Sequence, residues 1–136
     1  MKSLLHYVVL SFIYLCLVAC DEISEEDNFI IGDSAELFVK AEEIEKLCPG
    51  KGPQLAITSQ EFRQVLIQRF NTDILTAMEN IEVFGQDTIK THAQKNVAGY
   101  YSSKGCNGQW LKEMNKEISQ TIANAKKLSI RLNKGI

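Results

Sequence analysis

Apolar residues recur with the period of an α-helix through most of the chain after residue 32. The clearest example is the last segment, where they fall three or four positions apart from Trp110 to Leu128. No alternating run of β-branched or aromatic residues, which would predict a strand, occurs after the N-terminal leader. The pattern predicts an all-α fold, either a small four-helix bundle or an irregular helical array with short connections.

Local signals set the expected ends of the first two helices. Asp33 can cap the first helix, because Glu36 follows it by three residues as in a capping box. The proline- and glycine-rich stretch 49–53 ends that helix. Thr58 and Glu61 form a second capping box, which predicts the start of the second helix.

The second apolar stripe continues from Phe62 to Phe84 and is closed by Gly85, so one long helix and two helices joined by a kink both fit it. Asp87 can cap a third helix, and the spacing predicts a final helix over 109–132.

The first nineteen residues have the parts of a secretory signal. Lys2 is the only charged residue before Asp21, and an apolar run extends from Leu4 to Val18. This run of about fifteen residues is shorter than the roughly 20 that a membrane-spanning helix needs. We therefore expect residues 1–19 to be removed on export.

The end of the leader, Leu17-Val18-Ala19-Cys20, resembles the lipobox of bacterial lipoproteins. The resemblance implies that Cys20 is acylated and begins the mature protein, which then lies in the bacterial cell envelope, held to a membrane by lipid and facing the periplasm. Stable tethering takes more than one acyl chain, and the multiple acylation of this class supplies it. Asp21 favours the inner membrane, as in enterobacterial lipoproteins. The alternative is an ordinary signal, cut after Ala19 or Cys20, that releases a soluble protein.

Residues 20–32 are rich in acidic side chains, and we expect them to form a tether for a helical domain of residues 33–136. Fully extended, such a tether reaches roughly 40 Å, which would hold the domain clear of the lipid headgroups. Phe29, Ile30 and Ile31 interrupt the polar pattern and would either dock on the domain or contribute to a binding patch.

Two cysteines remain in the folded part of the chain once Cys16 is removed with the leader and Cys20 is used for lipid. An exported protein matures in an oxidising compartment, where such a pair is more often bonded than free or metal-bound. We therefore predict a disulfide between Cys48 and Cys106.

Charge is distributed unevenly along the chain. Between residues 21 and 46 there are ten acidic residues and two lysines, whereas the last 33 residues contain seven basic and two acidic ones. Either the first and last helices lie side by side and neutralise each other, or the basic last helix faces lipid phosphates or an acidic partner. Its basic residues are Lys112, Lys116, Lys126, Lys127 and Arg131.

The mature chain has a formal charge of about -3, which does not indicate nucleic-acid binding.

Residues typical of catalysis are scarce. His92 is the only histidine after the leader, and no nucleophile motif accompanies it. No clustered set of metal ligands and no nucleotide-binding loop occurs in the sequence. The acidic groups 25–27 and 42–45 are interpreted as solvated charge. We therefore expect no catalytic residue, metal, cofactor or small-molecule substrate.

Three aromatic residues, Tyr100, Tyr101 and Trp110, flank Cys106 in the sequence. Aromatic rings beside a disulfide commonly pack over it as part of the core. Tyrosine and tryptophan also dominate protein interfaces when one edge stays accessible to water. These three residues are the candidate partner-binding site.

The order of lipid cysteine, tether, helix, cysteine, two helices, cysteine and helix resembles the small helical pilotins of type II secretion systems. That resemblance implies a non-enzymatic adaptor or assembly factor that binds a protein partner in the envelope. A periplasmic immunity or inhibitor protein is the second interpretation, in which the acidic residues Glu42, Glu43 and Glu45 occupy a basic site on a toxin. An acid-stress chaperone is the third, although such chaperones work free of the membrane.

The lipobox makes a direct prediction about the mature N-terminus. The wild-type protein should fractionate with membranes and carry acyl chains on Cys20, whereas the Cys20→Ser variant should remain unacylated because its side chain lacks the thiol. Mass spectrometry of the N-terminal peptide measures both. An unmodified and uncut N-terminus in the cytosol would contradict export as well as acylation.

Overall fold

A computed structural model of the chain describes residues 23–135, so the leader, Cys20 and Asp21 lie outside the described residues. This part of the chain contains five helices and one β-hairpin, and the prediction of an all-α array is confirmed. The elements are α1 (Glu25–Leu47), α2 (Ser59–Phe70), α3 (Ile74–Glu79), β1 (Glu82–Phe84), β2 (Asp87–Thr88), α4 (Ile89–Lys104) and α5 (Gln109–Lys134).

The first helix begins at Glu25, so the prediction that it starts at Asp33 is wrong, and most of the expected 20–32 tether is helical. Ser24 is the N-cap, and its hydroxyl accepts a hydrogen bond from the N–H of Asp27 at 3.1 Å. Acidic residues in a first helical turn are stabilised by the positive end of the helix dipole. The acid-rich stretch that indicated a tether therefore favours a helix start equally well.

The start of α1 is also packed against the domain. Ile31 is fully buried, and Ile23 and Ile30 pack against the main core. Ile30 and Ile31 therefore pack against the domain, whereas the side chain of Phe29 is 66% exposed.

Helices α1 and α5 pack against each other in opposite directions. The disulfide places the end of α1 beside the segment that leads into α5, because Cys106 lies three residues before Gln109. At the other end, Arg131 of α5 forms an ion pair with the carboxylate of Asp27 in α1. This hydrogen bond and the charge of Asp27 raise the pKa of Arg131 above its usual value. The first and last helices do lie side by side, as one of the two interpretations of the charge pattern requires.

Helix α4 contacts α1 and runs parallel to it, since both end at the disulfide. We call this the disulfide end. The opposite end contains the start of α1, the last turns of α5 and the β-hairpin that precedes α4, and we call it the hairpin end. The 16 residues of α4 measure about 24 Å and the 23 residues of α1 about 35 Å, so the start of α4 lies level with the second or third turn of α1.

The capping box at Thr58 and Glu61 is confirmed, because Thr58 accepts from the N–H of Glu61 and the carboxylate of Glu61 accepts from the N–H of Thr58. The Thr58 N–H and hydroxyl together lower the pKa of Glu61. Helix α2 ends at Phe70, because Asn71 adopts a left-handed conformation with φ of 54°. Of the two predicted forms, the broken helix is correct, and the short α3 begins after Asp73.

The expected helix through residues 80–84 is wrong, and so is the expected absence of strands. Glu82 pairs with Thr88 and Phe84 with Asp87 in an antiparallel hairpin whose connection is Gly85-Gln86. Gly85 has φ of +61°, which glycine adopts readily at the first position of a two-residue hairpin turn. The cap of α4 is accordingly Thr88, one residue later than the predicted Asp87.

One core joins these helices. It is built from the buried faces of α1, α2 and α5, together with residues of α3 and α4. The predicted inner face of α5 is buried as expected, and Ile118, Ile122 and Ala125 are completely inaccessible. Phe38 of α1 contacts Phe62 of α2 with the ring centroids 6.2 Å apart.

The predicted disulfide is confirmed, with an S–S distance of 2.10 Å and a sequence separation of 58 residues. Replacing both cysteines, as Cys48→Ala/Cys106→Ala, should lower the free energy of unfolding by about 4 kcal/mol, because the cross-link restricts a long loop of the unfolded chain. Urea unfolding followed by circular dichroism measures the change, with the reduced wild-type protein as a control. An unchanged unfolding midpoint would contradict this role.

Candidate partner-binding site

The disulfide end presents a cluster of aromatic and basic side chains on a fixed backbone. Cys48 is buried, and Cys106 follows the last turn of α4. Lys51, in the loop after α1, donates hydrogen bonds from its Nζ to the carbonyl oxygen of Cys106 and to the Oδ1 of Asn107, at 3.3 and 2.7 Å. Asn115 of α5 in turn donates to the carbonyl oxygen of Lys51 at 2.8 Å. The loop after α1 is therefore hydrogen-bonded both to the segment around Cys106 and to α5.

Trp110 and Tyr100 form the centre of this cluster. Their rings stack with the centroids 5.4 Å apart and an interplanar angle of 9°. Trp110 is only 5% exposed, and its indole N–H donates to the carbonyl oxygen of Gly105 at 3.1 Å. A side chain at position 108 would meet the indole, since a Cβ on Gly108 would lie 2.4 Å from Cδ1 of Trp110. The indole is therefore a buried, fixed platform.

Tyr100 covers this platform and keeps its outer side open to solvent. Tyr100 is 39% exposed and the adjacent Tyr101 is 38% exposed. The ammonium group of Lys104 lies 5.4 Å from the centroid of the Tyr100 ring, within the range of a cation–π interaction. Of the three predicted residues, the structure thus brings Tyr100 and Trp110 into contact, leaves the two tyrosines accessible and withdraws Trp110 from the surface.

The acidic residues of α1 do not form a single face. Glu43 is buried and pairs with Lys46 at 3.4 Å, whereas Glu42 and Glu45 are exposed. The carboxylate of Glu45 accepts a hydrogen bond from the N–H of Gly50 at 2.9 Å. Glu42 and Glu45 line a 390 Å³ groove whose other lining residues are partly apolar, including Phe38 and Leu55, and partly polar, including Thr58, Ser59 and Gln60.

The exposed bases of α5 are spread along the helix. Lys112 and Lys116 lie toward the disulfide end, and Lys126 and Lys127 toward the hairpin end. These four lysines do not converge on one patch, and Arg131 of the same helix is paired with Asp27.

The described part of the chain contains one histidine, His92. His92 is half-buried and lies against the ring of Phe84, with the centroids 4.9 Å apart. Between residues 23 and 135, no group of three or more histidine, cysteine, aspartate or glutamate residues is arranged to hold a metal ion. Over the same residues, no helix combines the length and apolarity needed to cross a bilayer.

A second exposed apolar surface was missed from the sequence. Ile81, Val83 and Phe84 in and beside β1 are all exposed, as is Phe29 of α1. A usable signal was present, because Gly85-Gln86 between two short runs rich in β-branched and aromatic residues is typical of a hairpin.

Stability measurements should separate the buried ring from the exposed ones. Trp110→Ala should lower the free energy of unfolding by about 3–5 kcal/mol, since it empties a core position. Tyr101→Ala should lower it by only about 1 kcal/mol, because a large part of the Tyr101 side chain is already exposed to water. Chemical denaturation measures both, and equal losses would show that the two side chains do not differ in burial.

No family model, curated protein or solved structure matches this chain. The pilotin resemblance, drawn from the order of elements and the cysteine spacing, gains no support from these comparisons. The proposed function therefore depends on the residues at the disulfide end.

Proposed function

We propose that this chain is an envelope lipoprotein, anchored through an acylated Cys20, whose helical domain binds a protein partner and catalyses no reaction. It acts as an adaptor or assembly factor. The observation that carries the proposal is the pair of accessible tyrosines beside the disulfide, one of them stacked on a buried indole.

The physical properties of this pair suit protein recognition. Tyrosine supplies a large apolar area with few rotatable bonds, so little conformational entropy is lost when it is covered. Tyr100 is already held by Trp110, which lowers that cost further. The hydroxyl groups remain available for hydrogen bonds to a partner, and Lys104 adds a positive charge at the edge of the surface.

Lipid attachment complements this arrangement. The tyrosines lie in the last turns of α4, at the end of the domain opposite the start of α1, and Cys20 precedes that start by five residues in the sequence. The length of α1, about 35 Å, lies between the start of α1 and the disulfide end. A partner in the periplasm would meet the tyrosines without approaching the headgroups.

Partner capture tests the proposal. Wild-type protein isolated from solubilised envelopes should retain a specific protein, and Tyr100→Ser/Tyr101→Ser should lose most of it, because both accessible rings are removed. The matched control is Phe84→Ser, which removes an exposed aromatic ring at the opposite end and should retain the partner. Quantitative mass spectrometry of the captured proteins is the measurement. Equal recovery by the tyrosine variant would contradict the assigned surface.

An immunity or inhibitor protein is the second candidate, and the groove beside Glu42 and Glu45 favours it. Two carboxylates in the lining of a partly apolar groove suit a basic, partly apolar loop of a toxin. In the same capture experiment, a toxin that is bound by the wild type and lost by Glu42→Lys would favour this candidate. Its retention by the tyrosine double variant would do the same.

A further inference from the structure

The exposed apolar side chains of the described chain are concentrated at the hairpin end. Apart from the two tyrosines, every large apolar residue that is exposed among residues 23–135 belongs to this end. These residues are Phe29, Ile81, Val83, Phe84 and Ile130, and the two phenylalanines are about two-thirds exposed.

Contacts at the base of the hairpin bring these residues to the same end as the start of α1. Phe29 and Met78 line one 370 Å³ groove, and the N–H of Ile81 donates to the carbonyl oxygen of Met78 at 3.1 Å. Ile130 precedes Arg131, whose ion pair with Asp27 fixes the end of α5 beside the first turn of α1. An apolar surface of this kind on a single domain marks a site of contact with a protein or a membrane.

The short stretch of chain between Cys20 and α1 indicates whether a protein or the membrane covers this surface. Helix α1 begins at Glu25, and Ile23 already packs against the core and lines a groove with Asp27 and Phe70. Only Asp21 and Glu22 separate Cys20 from that packed residue. Three Cα-to-Cα steps span at most about 11 Å, in place of the roughly 40 Å available to an extended tether.

A lipid on Cys20 therefore holds the hairpin end at the bilayer surface. The headgroup region is about 5–7 Å thick on each side of the hydrocarbon. Because the link from Cys20 to Ile23 is at most about 11 Å long, a second folded protein does not fit between the hairpin end and the headgroups. Exposed aromatic and β-branched side chains gain free energy when they enter the headgroup boundary.

Charges of both signs lie at this end. Phe29 also lines a second groove of 570 Å³, whose rim carries the bases Lys127 and Arg131 and the acids Glu26 and Asp33. Both signs of charge occur there, as they do in a headgroup that bears a phosphate and an amine, although Arg131 is already paired with Asp27 and the exposed Glu82 adds an acid on β1. A purely anionic surface would be attracted by the bases and repelled by the acids.

We propose that the hairpin end is a membrane-contact surface, and that Phe29, Ile81, Val83 and Phe84 lie in the headgroup region of the bilayer to which Cys20 is attached. This inference rests on the proposed lipid anchor and deepens it. It fixes the orientation of the domain, with the disulfide end and its tyrosines pointing away from the membrane.

Fluorescence quenching of the lipidated chain tests the orientation. Phe84→Trp places an indole on the hairpin, and Tyr101→Trp places a matched indole at the disulfide end, while Trp110 contributes the same background to both. Each protein is reconstituted in phosphatidylethanolamine vesicles that contain a lipid with a quencher at the headgroup boundary. We expect a blue-shifted and quenched emission for Phe84→Trp, and an emission for Tyr101→Trp that is unchanged by the quencher.

The outcomes separate this inference from the lipid anchor itself. If the protein does not float with the vesicles and its N-terminal peptide carries no acyl chain, the anchor is wrong and the inference falls with it. If the acylated protein floats but Phe84→Trp is not quenched, the anchor stands and the membrane-contact surface is overturned. Circular dichroism of both variants establishes that each is folded.

Other occupants of the surface give different results. Loss of the captured partner by Phe84→Ser would assign the hairpin to a protein and would overturn the inference. A dimer in the wild type that Phe84→Ser converts to a monomer would assign it to a second copy of the chain, with the same consequence. Retention of the partner and of the oligomeric state by Phe84→Ser, together with quenching of Phe84→Trp, would support membrane contact.

Discussion

The Cys48–Cys106 disulfide sets the direction of the three longest helices. It joins the end of α1 to the connection between α4 and α5, so α1 and α4 run toward it and α5 runs away from it. The 49–57 loop is fastened to the same region by hydrogen bonds to α5. The last turns of α4, which carry the exposed Tyr100 and Tyr101, therefore lie at the end that the cross-link joins.

The opposite end is held by a charge pair in place of a covalent bond. Arg131 reaches Asp27 from the last turns of α5, and Asp27 is almost completely buried. A carboxylate in that position would be costly without a partner. The long helices are therefore secured at both ends by contacts between residues that are distant in the sequence.

Features with a local cause could be predicted from the sequence. The capping box at Thr58 depends on residues three positions apart, and the buried face of α5 follows from a long regular repeat. The disulfide could be predicted because only two cysteines remain once Cys16 is assigned to an expected leader and Cys20 to an expected lipid. In each case the chain allows few competing arrangements.

Features that depend on tertiary contacts were missed or misplaced. The run from Glu25 to Asp27 fits a tether and a first helical turn equally well, and burial of Ile31 decides for the helix. The stripe from Phe62 to Phe84 keeps a helical period, yet Asn71 and Gly85 adopt backbone angles that end the helix and turn a hairpin. At the candidate site, sequence proximity to Cys106 identified three aromatic residues but could not tell the buried Trp110 from its exposed neighbours.

The stacking of Tyr100 on Trp110 gives the chain an intrinsic optical probe. Trp110 is its one tryptophan, and a tightly packed indole beside the disulfide emits according to the state of that end alone. Far-ultraviolet dichroism averages over all of the helices. Melting curves recorded by the two signals on the same sample coincide only if the domain unfolds as one cooperative unit.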